Sequence, residues 1–401
     1  MRKGIEKTIV LVLDSLGIGD LPDSHFHNSR NCNTLSHINE KADSLHIPNL
    51  AKLGIGNLVY LNGSYRTSDT IGFYGKMGSL SASKDSVSGH WELMGVKSSK
   101  EFINYSSGIP EEILSKLLIK TGNDFIGNKN LKPEAALLKF GDLHKKTKKP
   151  IIITSDDSII YIATHEEIIP KDELYTICKK TLKNCEEYNL ARVCALPFTG
   201  TSKNYSISDK KRVFCTAPPY SSILELLINT EIPVHTVGKI SDIFSQKGIT
   251  SSKSGENNEE AIENTLEIMA KGIRDEFNQS FIFANLPDFD SVYAHNKDIQ
   301  GYANALEEFD RNFPKIMRSM GERDILIITA DHGNDPTSSE PGHTREYVPL
   351  LVYSALLKPK GYGNLGVRKT MSDVAKTIAD IYDIETTFTA DSFWDNLIVL
   401  L

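Results

Sequence analysis

Long apolar runs are missing from this 401-residue sequence: no stretch reaches the roughly 20 residues that a membrane-spanning helix requires. An excess of basic residues is missing too. Against 52 Asp and Glu stand 45 Lys and Arg, a net charge of −7, which argues against a nucleic-acid-binding surface and leaves only local basic patches for phosphate. Cysteine is scarce. Cys32, Cys178, Cys185, Cys194 and Cys215 are odd in number and lack metal-type spacing, so they read as reduced thiols of a cytoplasmic protein, not as a disulfide frame. The opening Met1-Arg2-Lys3-Gly4 carries no signal-peptide cleavage pattern. Internal repeats, heptad seams and low-complexity tails are absent. What is present is the composition of a globular chain, 40% hydrophobic and 24% charged. Its length calls for two domains, or for one large α/β domain with an insertion.

Three apolar, β-branched runs each lead to an acidic residue: Thr8 to Leu13 before Asp14, Phe281 to Ala284 before Asp288 and Asp290, and Ile325 to Ala330 before Asp331. Continuous runs of this kind suit parallel strands buried on both faces, and open α/β sheets bind ligands at the carboxyl ends of such strands. Ile151 to Ile153 and Val234 to Val237 are further strand candidates. Helical spacing marks Glu259 to Phe277 and Gln300 to Met320. The alternation predicts an α/β core with a mostly parallel sheet between helices. Residues 101–219 differ from their flanks. They carry lysine-rich helices (Glu111 to Lys120, Lys171 to Tyr188) and no Asp/His cluster, and they read as a smaller α/β cap inserted into a discontinuous core of residues 1–100 and 220–401.

The local chemistry is concentrated in Asp331-His332-Gly333-Asn334-Asp335 with His343, in Asp288-Phe289-Asp290 through His295, and in Asp14. Imidazole and carboxylate together suit borderline divalent cations such as Zn²⁺ or Mn²⁺, with Gly333 allowing a sharp turn beside the metal. Asp14, Asp290, His295, Asp331, His332 and His343 suffice for two adjacent metals with positions open to substrate. Any one of these pieces alone is an ordinary cap or loop residue. Their recurrence at three strand ends carries the metal reading. A nucleophile is offered by Asp85-Ser86-Val87-Ser88-Gly89-His90, where a hydroxyl at a helix start would meet backbone dipoles that favour phosphate. Spacing alone leaves Ser86 and Ser88 as rivals, with His90 as a phosphate or water contact.

The segments Leu13 to Gly19 with Pro22-Asp23, Lys84 to Glu92, Gly238 to Phe244, Asp288 to His295, Asp331 to Asp335 and His343 to Pro349 resemble bacterial phosphopentomutase (phosphodeoxyribomutase) of the alkaline phosphatase superfamily, in order and over nearly the whole chain. The resemblance implies an alkaline phosphatase-like core with an inserted cap, two Mn²⁺ ions (alternatively Zn²⁺ or Mg²⁺) and a sugar bisphosphate activator. One metal would take Asp290, His295 and His343, the other Asp14, Asp331 and His332. Ser86 falls on the family's phosphorylated threonine. The implied reaction interconverts (deoxy)ribose 1-phosphate and (deoxy)ribose 5-phosphate. Its partner is a small sugar phosphate, with no nucleic acid and no membrane; oligomeric state is not legible.

Departures cluster in the cap. A phosphate-binding arginine of the family falls on Leu196, a loss worth about 1.5–3 kcal/mol of binding. A second arginine becomes Ile207. Lys210, Lys211 and Arg212 keep positive charge nearby, although lysine lacks the planar fork of arginine. Pro133 to Ala136 departs from a family loop, and Asn296-Lys297-Asp298 replaces an arginine-rich stretch. Ser155, Lys211, Arg212 and Lys239 are the expected substrate contacts, with Lys239 holding the distal phosphate and the cap excluding water. The altered cap leaves a second reading: a mutase or phosphohydrolase of the same superfamily for a different small phosphorylated metabolite.

Overall fold

The computed structural model describes the chain except residues 1–3, 64, 156–157, 272–278, 340–341, 360–362 and 399–401. Asp156 and Asp157, next to the expected substrate contact Ser155, and the end of the helix expected to reach Phe277 lie outside the described residues. In chain order the strands are β1 (Lys7–Leu13), β2 (Phe73–Met77), β3 (Ile126–Asn130), β4 (Ile151–Thr154), β5 (Ile159–His165), β6 (Arg192–Thr201), β7 (Asn204–Ile207), β8 (Arg212–Cys215), β9 (Val234–Val237), β10 (Ser251–Lys253), β11 (Ser280–Leu286), β12 (Ile325–Thr329), β13 (Val348–Tyr353) and β14 (Asn364–Arg368). They divide between two compact units. The first comprises residues 1–99, 218–241 and 246–401; the second comprises 100–217 and 242–245.

The first unit holds an eight-stranded sheet in the order β10-β9-β11-β1-β12-β13-β2-β14. β10, β9, β11, β1 and β12 run parallel, and β13 is antiparallel to both β12 and β2. This is the mostly parallel α/β sheet that the apolar runs predict. All seven residues of β1 and of β11, and all five of β12, are buried, as strands covered on both faces must be. Lys7 is tolerated there because its ammonium meets buried Asp324 at 3.5 Å. The register aligns Val12 with both Asn285 and Thr329. The residues that follow the three strands therefore share one edge of the sheet, which is how Asp14, Asp290 and Asp331 come together from distant parts of the sequence.

The second unit has a sheet ordered β3-β4-β5-β6-β7, with β8 paired to β6. Ile113, Leu117, Leu174 and Ile177 of the helices Glu111–Thr121 and Lys171–Asn184 join one apolar cluster with Ile152, Ile160, Ile162 and Val193. Ala136 and Leu137 of the helix Pro133–Thr147 join another with Ile151, Ile153, Ala163, Leu196 and Phe198. Two expectations change here, and a third residue finds its surroundings. Pro133 to Ala136 is no loop but the first turn of a helix, where proline's fixed φ and missing N–H cost nothing. Asp242–Ser245 groups with the second unit instead of the core; Ser245 Oγ donates to the Cys215 carbonyl at 2.8 Å. Leu196, expected where an arginine would hold phosphate, is 4% exposed inside that second cluster. In this chain the position is filled by packed leucine.

Candidate active site

The Ser86–Leu93 helix starts cleanly because Asp85 caps it. Its carboxylate accepts from Val87 N at 2.8 Å and Ser88 N at 3.2 Å, and Asp85 N donates back to Ser88 Oγ at 3.3 Å. Ser88 is thus occupied as a capping residue; its hydroxyl also donates to Asp85 O at 2.9 Å. Ser86 Oγ instead lies 3.1 Å from His332 Nε2 and accepts from Lys239 Nζ at 3.0 Å. At Gly89 the helix touches the Asp331 backbone: a Cβ there would sit 2.1 Å from Asp331 O.

Two buried donor sets lie beside this hydroxyl. Asp14, Asp331 and His332 bring ligand atoms within 4.8 Å of one another, and so do Asp290, His332 and His343. His332 belongs to both, its ring stacked on that of His343 at 3.9 Å. The family assignment gave His295 to the second set. Its Nε2 does lie 3.2 Å from Asp290 Oδ2, but the ring is partly exposed at the end of the short π-helix Phe289–Ala294, while His332 sits between the sets. Asn334 Nδ2 holds Asp290 Oδ1 at 2.8 Å, and Ser15 N holds Asp331 Oδ1 at 3.2 Å. Asp14 Oδ1 is buried and accepts no hydrogen bond among the described residues. A buried carboxylate oxygen without a donor, set among other carboxylates and imidazoles, fits a divalent cation.

The electrostatics agree. Burial, reinforced by Asp331, pushes the Asp14 carboxyl up to about 7. Burial would lower the Lys239 ammonium, but Asp14, Asp331 and Asp290 outweigh it and hold it above its ordinary value. Lys239 pairs with Asp14 Oδ2. Burial also drives His332 down to about 3, against the pull of Asp331, so its imidazole is neutral, the form that ligates metal.

This geometry revises two sequence expectations and locates a third residue. His90 is fully buried, with Nδ1 2.7 Å from Ser86 O and 3.1 Å from Asp331 Oδ2, and so is not a contact for phosphate or water. Lys239, expected at the distal phosphate, reaches the Ser86 hydroxyl itself. Gly333 has no left-handed φ; its missing side chain makes room for Glu346, whose Oε1 would lie 2.5 Å from a Cβ there. Glu346 in turn accepts from Gly19 N, Thr34 N and the Thr34 hydroxyl at 3.1, 2.9 and 2.7 Å, tying the loop after β1 to the His343 segment.

Of the remaining expected contacts, Ser155 follows β4 in the second unit, and Lys211 and Arg212 are exposed beside or on β8, with the Arg212 guanidinium over the Phe214 ring at 5.4 Å. Lys210 of the same basic run is engaged by Glu166 at 2.7 Å. Asn285 and Arg345 were not anticipated. Asn285 donates to Asp14 Oδ2 at 3.0 Å; it directly follows the apolar run Phe281 to Ala284, and only the structure, where β11 extends to Leu286, places this amide within the strand. Arg345, 5% exposed, donates to the carbonyls of Ser79, Ser81 and Ser83 at 3.1, 2.8 and 3.3 Å and fixes the approach to the Ser86 helix.

Residues 6–386 match the model of the metalloenzyme superfamily. The sequence is 43% identical over 392 residues to the phosphopentomutase of Caldanaerobacter subterraneus subsp. tengcongensis, covering 97% of each chain. It is 41% identical to that of Acetivibrio thermocellus, covering 98% of this chain and 100% of the relative. It is 40% identical to that of Thermotoga maritima, covering 96% and 98%.

Proposed function

This chain belongs to the metalloenzyme superfamily and to the phosphopentomutases, and from that membership we infer that it is a metal-dependent sugar-phosphate mutase interconverting (deoxy)ribose 1-phosphate and (deoxy)ribose 5-phosphate through a phosphoserine at Ser86. The observation that carries the assignment of Ser86 is its hydroxyl, 3.0 Å from an ammonium and 3.1 Å from the imidazole shared by both donor sets.

Asp14, Asp290, Asp331, His332 and His343, with His295 adjacent, would hold two divalent cations, Mn²⁺ in our reading, which supply charge neutralisation and Lewis acidity at the transferred phosphoryl group. The chain's own groups do the rest. The phosphoryl group carried on Ser86 Oγ passes to the free hydroxyl of the sugar monophosphate, the bond from phosphorus to Oγ breaking as the bond to the sugar oxygen forms; the bisphosphate then turns and its other phosphoryl group passes back to Ser86 Oγ, the sugar oxygen left behind taking up a proton in place of the one the first hydroxyl gave up. Lys239 places positive charge at Ser86 Oγ, where the phosphoryl oxygens gather negative charge. Asp85 and Arg345 hold the helix start so that the hydroxyl needs no search for its orientation. Ser155, Lys211 and Arg212 complete the reading as substrate contacts, and a sugar bisphosphate would load the first phosphate. Relatives more than a third identical over nearly their full length favour this outcome over hydrolysis of a different metabolite.

Phosphorus NMR of the Mn²⁺-loaded protein with ribose 1-phosphate, primed by a sugar bisphosphate, tests the reading. Ribose 5-phosphate should accumulate, and intact-mass analysis should show one phosphate that Ser86→Ala abolishes while bound Mn²⁺ stays at the parent level. Inorganic phosphate as the main product would overturn the mutase assignment; full turnover by Ser86→Ala would overturn the nucleophile.

A further inference from the structure

We propose that His90 and Asn285 act as a positioning pair that locks the backbone of the nucleophile and the carboxylates of Asp14 and Asp331 into one register, an inference that rests on the reading of Ser86 and those carboxylates given above. Both residues are fully buried, and neither touches the Ser86 hydroxyl.

Donor and acceptor matching fixes how the pair is wired. His90 Nδ1 faces two acceptors, Ser86 O at 2.7 Å and Asp331 Oδ2 at 3.1 Å, so the proton is on Nδ1. His90 Nε2 faces Asn285 Nδ2 at 3.3 Å, and the same amide nitrogen donates to Asp14 Oδ2 at 3.0 Å. An Asn285 amide turned the other way would set its oxygen against that carboxylate, so the two N–H groups point at Asp14 and His90, and Nε2 accepts. With the proton on Nδ1, His90 donates to the Ser86 carbonyl and offers Nε2 to Asn285; Asp331 Oδ2 lies beside Nδ1 at 3.1 Å without a hydrogen bond of its own among the described residues. The pair thereby links β11, which carries Asn285, to Asp14 directly after β1, to Asp331 two residues after β12 and to the first turn of the Ser86 helix. The contact to Ser86 is made to its carbonyl, so the pair sets where the residue sits without consuming the hydroxyl.

Two substitutions at His90 separate positioning from mere filling. His90→Asn keeps a donor near the Nδ1 position, within reach of Ser86 O, and gives up the contact to Asn285. His90→Gln carries its amide further out, toward Asn285, and gives up the Ser86 carbonyl. With melting temperatures matched, His90→Asn should retain most of kcat. His90→Gln should lose roughly 10–100-fold in kcat with KM little changed. A second arm needs no turnover: calorimetric titration of the metal-free protein with Mn²⁺ should show Asn285→Leu binding about 10–100-fold more weakly than the parent. His90→Gln matching or exceeding His90→Asn, or Asn285→Leu binding Mn²⁺ as the parent does, would overturn the pair. A parent protein that isomerises nothing would instead overturn the functional reading, and the calorimetric arm still decides the pairing.

Discussion

Replacing Gly89 by alanine should separate activity from stability. The new Cβ would lie 2.1 Å from Asp331 O and 2.7 Å from Asp331 C, and both are backbone atoms that cannot swing aside. To restore ordinary contact near 3.4 Å, the Ser86 helix and the Asp331 segment must part by about 1.3 Å. Overpacking of this kind costs about 1–3 kcal/mol, while alanine in place of glycine inside a helix returns about 1 kcal/mol, so net stability changes by at most ~2 kcal/mol. Catalysis has no such offset. A displacement of about 1 Å between nucleophile and cation ligands costs on the order of 100-fold, or ~2.7 kcal/mol of transition-state stabilisation. Gly89→Ala should therefore melt within a few degrees of the parent while kcat/KM for ribose 1-phosphate falls about 100-fold. A variant that turns over at the parent rate would refute the claim that this contact between the helix and the Asp331 backbone sets the position of Ser86.

Other perturbations give equally direct readings. Asp331→Ala removes a ligand and leaves His90 facing a cavity; inductively coupled plasma mass spectrometry should find the Asp14 set depleted of cation, with a lowered melting temperature. Leu196→Arg would bury a guanidinium among Ile151, Ile153, Ala163 and Phe198, at a cost of several kcal/mol, and should lower the melting temperature without improving affinity for ribose 5-phosphate. His144 donates Nδ1–H to Lys149 O at 2.7 Å and accepts the His165 N–H at 2.9 Å, and burial holds its imidazole below the ordinary 6.5. The unfolded chain then takes up a proton that the folded chain refuses, so stability should fall as pH drops below about 6.5. Denaturant melts at pH 7 and pH 5 should show a shallower pH dependence for His144→Asn; identical slopes would show that this imidazole is not responsible.

The architecture of the catalytic sheet was legible because its three central strands are buried on both faces and so appear as unbroken apolar runs, each leading to an acid. Burial on two faces leaves little room for other side chains, which is why the boundaries at Asp14 and Asp331 read so directly. The division of labour within the site was less legible. Ser86 and Ser88 are equivalent as letters; only the cap geometry shows that Ser88 is spent on Asp85. Lys239 could be placed near phosphate by likeness, but its reach to Ser86 Oγ depends on the aligned ends of β9, β11 and β1. The burial of Leu196 was not legible because strand register in the second unit, which decides whether a side chain enters the core, shifts meaning with each single residue.

The central place of β1 has a consequence for biosynthesis. Its partners begin at Ser280 and Ile325, so the apolar segment from Lys7 to Leu13 emerges first and finds no neighbour until some 270 residues more have been added. At about 5–20 residues per second that wait lasts roughly 15–55 s. During it, a sticky, β-prone ribbon must be shielded, by transient local collapse or by chaperones, and overproduction that outruns such shielding should yield inclusion bodies seeded by the amino-terminal segment.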